Sequence, residues 1–175
     1  MARAERYQFV VLAEGKRDYD FASRYLRARY GKRSTEVFRA QTPADGEGSG
    51  EQHVRQRFPS ELQTLRSYPG FNRYLVVMTD GDRLSAEERR RQLERQIPRL
   101  PGDKVAIFVP CRNLESWFAW LDGDFQNEKT DHKSRYSHAK PGKLGQRMES
   151  QCRHRTPEEM PASLRDACEE LRRLP

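Results

Sequence analysis

The apolar residues of the first part of the chain follow two alternating patterns. Short runs rich in β-branched and aromatic residues predict strands at 7–13, 35–40, 73–79 and 104–109. Apolar residues at helical spacing predict helices at 18–30, 51–67, 85–98 and 114–121. Strands that alternate with helices predict an α/β fold, in which a central, mostly parallel sheet is flanked by helices.

Local signals predict where several of these elements begin or break. Asp18 is predicted to cap the first helix, and Ser85 with Glu88 forms a capping-box pattern before a later one. Pro59 is expected to interrupt the second helix, because proline removes a backbone donor. The glycine-rich stretch 41–50 is predicted to be a loop.

The pattern changes after residue 121. Residues 122–157 are polar and rich in Lys, Arg, His, Gly and Ser, and they carry no strand signal, whereas 158–173 has the spacing of an amphipathic helix. We therefore predict an α/β domain over 1–121. The remainder, 122–175, is predicted to be a basic helical or irregular extension with a C-terminal amphipathic helix.

Charge favours a polyanionic partner. Charged residues make up 34% of the chain and the formal net charge is +7, which favours nucleic acid, since Arg and Lys bind phosphate groups. Basic residues of the tail, among them Lys140 and Lys143, are candidates for phosphate contacts. The alternative is a solvated surface that binds nothing.

Cysteine usage and hydropathy bear on the cellular setting. The three cysteines are Cys111, Cys152 and Cys168; without a C-x-x-C pair, they predict neither a disulfide framework nor a zinc ribbon. The simplest setting is therefore the reducing cytoplasm. No apolar run approaches the ~18 residues that a membrane span needs, and no membrane partner is expected.

Acidic residues follow three of the predicted strands. They are Glu14 with Asp18, Asp80 with Asp82, and Glu115. Ligand sites of open α/β sheets lie at the carboxyl ends of the strands, so these acids are expected to meet there. Clustered carboxylates repel one another, and a hard divalent cation relieves the repulsion. We predict that they hold Mg²⁺ or Mn²⁺.

Each acid also has a purely structural interpretation. Asp18 could serve only as a helix cap, Asp80-Gly81-Asp82 could be an ordinary turn, and Glu115 could be a surface residue of a helix. The combination of an acid after the first strand with an Asp-x-Asp after the most apolar strand favours the metal site.

Two segments resemble the Toprim signature, and the resemblance covers about residues 7–121. They are Glu14-Gly15-Lys16-Arg17-Asp18 after the first strand and the run from Leu75 to Thr79 that leads into Asp80-Gly81-Asp82. Toprim domains occur in topoisomerases, primases, ribosomal-RNA maturases and the overcoming-lysogenization-defect nucleases. The resemblance implies Mg²⁺ bound by Asp80 and Asp82, with Glu14 as a metal ligand or general acid/base.

The segment from Cys111 to Phe118 is similar to a feature of stand-alone Toprim-like proteins and of the same nucleases, in which a further acid follows the next strand. By that resemblance Glu115 would complete the site for a second ion, with Asp18 as a helper. The 175 residues do not include the ATPase domain that accompanies those nucleases. The resemblance therefore implies either a small nuclease or a subunit that works with a partner ATPase.

Basic residues next to the acids are candidates for phosphate binding. Lys16, Arg83 and Arg112 each lie near a predicted metal ligand, and a fixed cation there would neutralise charge that develops during phosphoryl transfer. The alternative is a local ion pair with the same acids.

These observations predict a Mg²⁺-dependent nuclease that cleaves DNA or RNA, in a prokaryotic defence or mobile-element setting that the resemblance alone suggests. The first alternative is a non-catalytic subunit that binds nucleic acid or a partner. The second is a phosphatase or phosphotransferase acting on small esters, against which the positive charge argues.

Overall fold

The α/β fold predicted from the sequence is confirmed. A computed structural model describes residues 6–40, 48–154 and 157–175. Its sheet has four parallel strands in the order β2-β1-β3-β4. The strands are β1 (Tyr7–Ala13), β2 (Thr35–Arg39), β3 (Arg73–Met78) and β4 (Val105–Phe108).

Helices connect and cover the strands. Within the described ranges they are α1 (Lys16–Tyr30), α2 (Gly50–Arg66), α3 (Ala86–Glu94), α4 (Glu115–Leu121), α5 (Lys133–Tyr136), α6 (Pro141–His154) and α7 (Ala162–Glu170). Short 3₁₀ turns occupy Pro157–Glu159 and Leu171–Arg173. Helix α3 ends earlier than the predicted residue 98. Residues 41–47 of the predicted glycine-rich loop lie outside the described part of the chain.

Strands β1, β3 and β4 are buried on both faces, as their apolar runs predict, whereas the edge strand β2 exposes one face, including Phe38. Successive side chains of a strand point to opposite faces, and β1 accordingly supplies two separate cores. Phe9 and Val11 belong to one core with α1, whereas Val10 and Leu12 belong to the other with α2.

Helix α2 runs through Pro59 without interruption, so the expected break is wrong. A proline inside a helix costs about 3 kcal/mol. Val54, Phe58 and Leu62 of this helix are fully buried against the sheet, and each buried side chain of this size contributes roughly 1.5–3 kcal/mol. Tertiary packing therefore outweighs the local penalty.

The segment after residue 121 packs onto the sheet layer. Helix α6 lies against α1, and α7 lies against β4. Leu144, Met148 and Leu164 are buried in the same core as Phe9. These apolar residues are spaced widely among polar ones, so the sequence predicted the C-terminal amphipathic helix but not the bounds of α6.

Helices α1 and α6 approach closely at Gly145. A Cβ atom at this position would lie 2.4 Å from the backbone oxygen of Phe21, a distance that the two helices can relieve only by moving apart. At Gly142 of the same helix, a Cβ would meet only the flexible side chain of Arg24, at 3.0 Å.

Gly145→Ala is therefore expected to lower the free energy of unfolding by about 2–3 kcal/mol, the scale of an overpacked core. Gly142→Ala is the matched control, with an expected change within about 1 kcal/mol. Urea denaturation followed by circular dichroism measures both. Equal effects of the two substitutions would contradict a close helix contact at Gly145.

The cysteines differ from their predicted state. Cys152 of α6 and Cys168 of α7 form a disulfide, with Cα atoms 6.1 Å apart, and Cys111 is free. The expectation of no disulfide is wrong because folding brings together two helices that are separate in the sequence.

In the described ranges, no helix is both long enough and apolar enough to cross a membrane.

Candidate metal and phosphate site

The acids predicted from the sequence lie beyond the carboxyl ends of three adjacent strands. The register pairs Ala13 of β1 with Met78 of β3, which places Glu14 beside Thr79 and Asp80. Glu115 begins α4, the helix that follows β4. Parallel strands thus bring acids from distant parts of the sequence to one edge of the sheet.

Glu14 is held directly against the residues that follow β3. Its Oε1 accepts hydrogen bonds from the Thr79 hydroxyl at 2.5 Å and from the Asp80 amide at 2.8 Å. Oε2 accepts no hydrogen bond from the described residues. Burial raises the pKa of Glu14, and the two hydrogen bonds oppose that rise. One oxygen is therefore fixed, and the other remains open to a ligand or a water molecule.

Asp80 is the most strongly perturbed acid of the cluster. Its Oδ1 is buried and has no hydrogen-bond partner in the described part of the chain. Burial is the largest cause that raises its pKa well above the usual value, followed by repulsion from Asp18, Glu14, Glu115 and Asp82. A buried carboxylate surrounded by four others is unfavourable unless a proton or a cation compensates it.

Asp82 is the exposed member of the cluster, with 61% of its side chain accessible. The buried Arg89 donates to its Oδ2 at 2.9 Å. Arg89 also donates to the carbonyl of Asp80 at 3.0 Å and to Glu51 of α2 at 2.9 Å. The sequence did not indicate a role for this arginine, which lies in a run of three and looks like a surface residue.

The Asp80-Gly81-Asp82 loop is attached to the segment that follows β4. The Gly81 amide donates to the carbonyl oxygen of Pro110 at 2.8 Å, and the Asp82 amide donates to the carbonyl oxygen of Arg112 at 3.1 Å. A Cβ at Gly81 would lie 2.8 Å from the Leu84 carbonyl oxygen, so only glycine fits. These backbone bonds fix the direction of both aspartates.

Asp18 belongs to the cluster and does not cap α1. The N-cap is Gly15, without a side-chain cap, and Asp18 lies in the first turn. Burial first, and repulsion from Glu14 second, raise its pKa to about 6. The predicted cap is therefore wrong, since the N-cap lies at Gly15, three residues before Asp18.

Glu115 is buried rather than exposed on the helix surface, with 8% of its side chain accessible. Arg17 donates to its Oε1 at 3.1 Å. The same guanidinium donates to the carbonyls of Tyr136, Ser137 and Ala139 at 2.9–3.2 Å. Arg17 therefore joins Glu115 to the C-terminal segment, a role that the sequence did not indicate.

Removing Arg17 would leave Glu115 buried without its cation. We expect Arg17→Met to lower the free energy of unfolding by about 2 kcal/mol, less than for a fully buried pair because Arg17 is partly exposed. Adding Glu115→Gln should recover most of the loss, whereas Arg24→Met on the same helix should have little effect. Thermal unfolding of the wild-type protein, of Arg17→Met, Glu115→Gln and the double variant, and of Arg24→Met measures the coupling. Additive effects of Arg17→Met and Glu115→Gln would contradict it.

The predicted phosphate-binding cations are dispersed. Lys16 is exposed and pairs with Asp20 at 2.7 Å, and Arg112 lies 3.5 Å from Asp131. Arg83 is exposed and makes no ion pair within the described residues, so the alternative of a local ion pair does not apply to it. Lys140 and Lys143 are exposed near the start of α6, and no described contact joins them to the acids.

The donor set suits a hard cation, although it is not a completed metal site. Among the described residues, no three Asp, Glu, His or Cys side chains are arranged closely enough to hold an ion. Asp80 nevertheless offers a buried oxygen without a partner, and Asp82 bonds to Arg89 through Oδ2, which leaves its Oδ1 without a hydrogen bond from the described residues. Mg²⁺ takes one or two carboxylates and keeps several waters, so these residues fit it.

The chain was compared with protein-family models, with curated proteins and with solved structures. No family model, no curated protein and no solved structure matches the chain. The class that the geometry defines is an α/β protein with an acidic cluster at the carboxyl edge of its parallel sheet.

Proposed function

We propose that the chain is a Mg²⁺- or Mn²⁺-dependent nuclease of the Toprim type, which hydrolyses phosphodiester bonds of DNA or RNA. The observation that carries the proposal is the buried, unpartnered Oδ1 of Asp80 among four other carboxylates. Acids that serve only structure are normally hydrogen-bonded or paired when buried. An oxygen left without a partner is an expected feature of a metal-dependent site.

The acids have different roles in the proposed chemistry. Asp80 and Asp82 would hold the ion, which when bound would activate water and stabilise charge on the phosphate. Glu14 would take the proton from the attacking water through Oε2, while Thr79 and the Asp80 amide fix its orientation. A carboxylate whose pKa is raised by burial is a better base than an exposed one. Glu115 and Asp18 would complete the site if a second ion binds.

The basic surface supports a polymeric substrate. The net charge of +7 and exposed cations such as Arg83, Lys140 and Lys143 favour nucleic acid over a small phosphate ester. A partner ATPase in a prokaryotic defence or mobile-element system belongs to the same proposal and rests on the Toprim resemblance alone. A cytoplasmic setting is proposed from cysteine usage, and the disulfide between Cys152 and Cys168 argues against a reducing compartment.

Incubation of the protein with candidate substrates tests the proposal. Purified protein with Mg²⁺ or Mn²⁺ is given end-labelled single- and double-stranded DNA, RNA, and a generic phosphate monoester. We expect cleavage of at least one polynucleotide, loss of cleavage with a chelator, and little hydrolysis of the monoester. Hydrolysis of the monoester alone would favour a phosphatase.

A second candidate is a non-catalytic subunit that binds nucleic acid or a partner. The observation that favours it is that Glu14 and Asp82 are already engaged, by Thr79 and by Arg89. Under this alternative, DNA or RNA binds in a gel-shift assay with or without Mg²⁺, and neither polymer is cut.

A further inference from the structure

A cavity of about 710 Å³ opens beside the acidic cluster. Asp82 and Arg112 lie in its wall, so the cavity adjoins the cluster directly. Its other walls come from the start of α3 and from α7, which approach each other across it. Its volume is within the roughly 300–1,000 Å³ range of small-ligand sites.

The walls of the cavity combine small apolar groups with cations. Leu84, Ala86 and Ala162 supply apolar surface, and Arg83 and Arg165 supply exposed guanidinium groups. Neither arginine forms an ion pair within the described ranges, and the same is true of Lys129 at the rim. Guanidinium planes can stack on nucleobases, and all three cations can contact phosphate.

The carboxylates of the cavity are mostly neutralised. Three of the five form ion pairs, Asp82 with Arg89, Glu87 with Arg91 and Asp166 with Arg90. Glu128 accepts a hydrogen bond from the Ser163 amide at 2.7 Å. Glu169 is the acid without such a contact in the described part of the chain. Among the described residues, the cavity therefore has three cations without an ion pair, Arg83, Lys129 and Arg165, against two such carboxylates, Glu128 and Glu169.

We propose that this cavity binds the nucleoside next to the phosphate that is cleaved. The proposal rests on the nuclease function and adds a place for the substrate. A polynucleotide whose phosphate lies at Asp80 and Asp82 would continue past Asp82 into the cavity, with its base between apolar and guanidinium surfaces. Arg83, Lys129 and Arg165 would contact the next phosphate. Helix α7, from the C-terminal segment, thus contributes to substrate binding.

Cys111 provides a direct probe of occupancy. It lines the cavity and is the free cysteine, since Cys152 and Cys168 are bonded to each other. The rate of alkylation by a fluorescent thiol reagent is measured at mildly alkaline pH without reductant, with Cys111→Ser as the blank. A deoxynucleoside 5′-monophosphate and a short single strand, each with Mg²⁺, should slow alkylation by about fivefold or more at saturation.

Inorganic phosphate is the matched comparison. Little protection by phosphate, together with clear protection by the nucleotide, supports a nucleoside subsite. Equal protection by both would overturn the nucleoside part of the proposal, and no protection by any of the three would overturn all of it.

Kinetics of Arg165→Ala test the cavity independently. This side chain is exposed, so the fold should persist. We expect the KM for a short oligonucleotide to rise about tenfold while kcat stays within about twofold, as for loss of uniform binding. Arg172→Ala, an exposed arginine outside the cavity, is the control with unchanged kinetics. An unchanged KM for Arg165→Ala would contradict the proposal.

The two proposals fail differently. Cleavage without protection of Cys111, and with an unchanged KM for Arg165→Ala, overturns the subsite and leaves the nuclease standing. Protection of Cys111 by nucleotide without cleavage supports the cavity as a nucleotide site and overturns the nuclease.

Discussion

Asp80→Asn is expected to abolish cleavage and, at the same time, to stabilise the metal-free protein. The substitution removes the buried charge that the ion would bind, so kcat/KM should fall by about a thousandfold or more, or about 4 kcal/mol of transition-state stabilisation. It also removes the repulsion that Asp18, Glu14, Glu115 and Asp82 exert on that position. Activity and stability should therefore change in opposite directions.

The expected gain in the free energy of unfolding is about 1–2 kcal/mol near neutral pH, measured by urea denaturation with a chelator present. It should grow as pH rises, because the wild-type carboxyl is increasingly forced toward ionisation. Asp20→Asn on α1 is the matched control. Asp20 pairs only with the exposed Lys16, so its loss should change stability by no more than about 0.5 kcal/mol and leave cleavage intact. Cleavage that survives Asp80→Asn would refute the proposed mechanism.

Stability should also depend on pH and Mg²⁺ together. The pKa of Asp18 is raised from 3.8 to about 6, and those of Glu14 and Asp80 are raised as well. At pH values between the unfolded-state and the folded-state pKa of these acids, the folded protein holds protons that the unfolded chain has released. Folding then takes up protons, so stability falls as pH rises from about 4 through about 6. For Asp18 alone the loss is on the order of 3 kcal/mol.

Mg²⁺ is expected to reverse this loss, because it binds the ionised carboxylates of the folded state. At about a hundred times its dissociation constant, one ion adds roughly 2.7 kcal/mol. The stabilisation should therefore be small near pH 4 and largest above pH 6. Thermal unfolding at several pH values, with and without MgCl₂, measures it.

Potassium chloride at equal ionic strength controls for general screening, which also weakens repulsion between carboxylates. Asp80→Asn should lose most of the response to Mg²⁺ and keep the response to KCl. If Mg²⁺ stabilises the wild-type protein no more than KCl does, the acidic cluster is not an ion site.

The positions of the acids could be predicted well because they follow from the strands. Apolar runs identified β1 and β3 nearly to the residue, and parallel strands must end at a common edge. Glu14 therefore had to approach Asp80, and its hydrogen bond to the Asp80 amide shows that contact. Apolar periodicity and the succession of strands along the chain are local information, so they can be read from the sequence.

The groups that hold the acids were not predictable in the same way. Arg89 and Arg17 look like the other surface arginines, yet Arg89 is buried against Asp82 and Arg17 reaches Glu115 across 98 positions of sequence. Thr79 gave no signal of its role either. Such contacts depend on which elements pack together, and residue type alone does not record that.

By itself, the sequence determined the α/β class, the four strands and the acids that meet at the edge of the sheet. These depend on apolar periodicity and on chain direction, which neighbouring residues encode. Only the tertiary structure decided which basic groups pair with the acids, how α6 lies against α1, and that α7 closes a cavity beside Asp82. Those features arise from contacts between distant segments, where burial and charge compensation outweigh local preference.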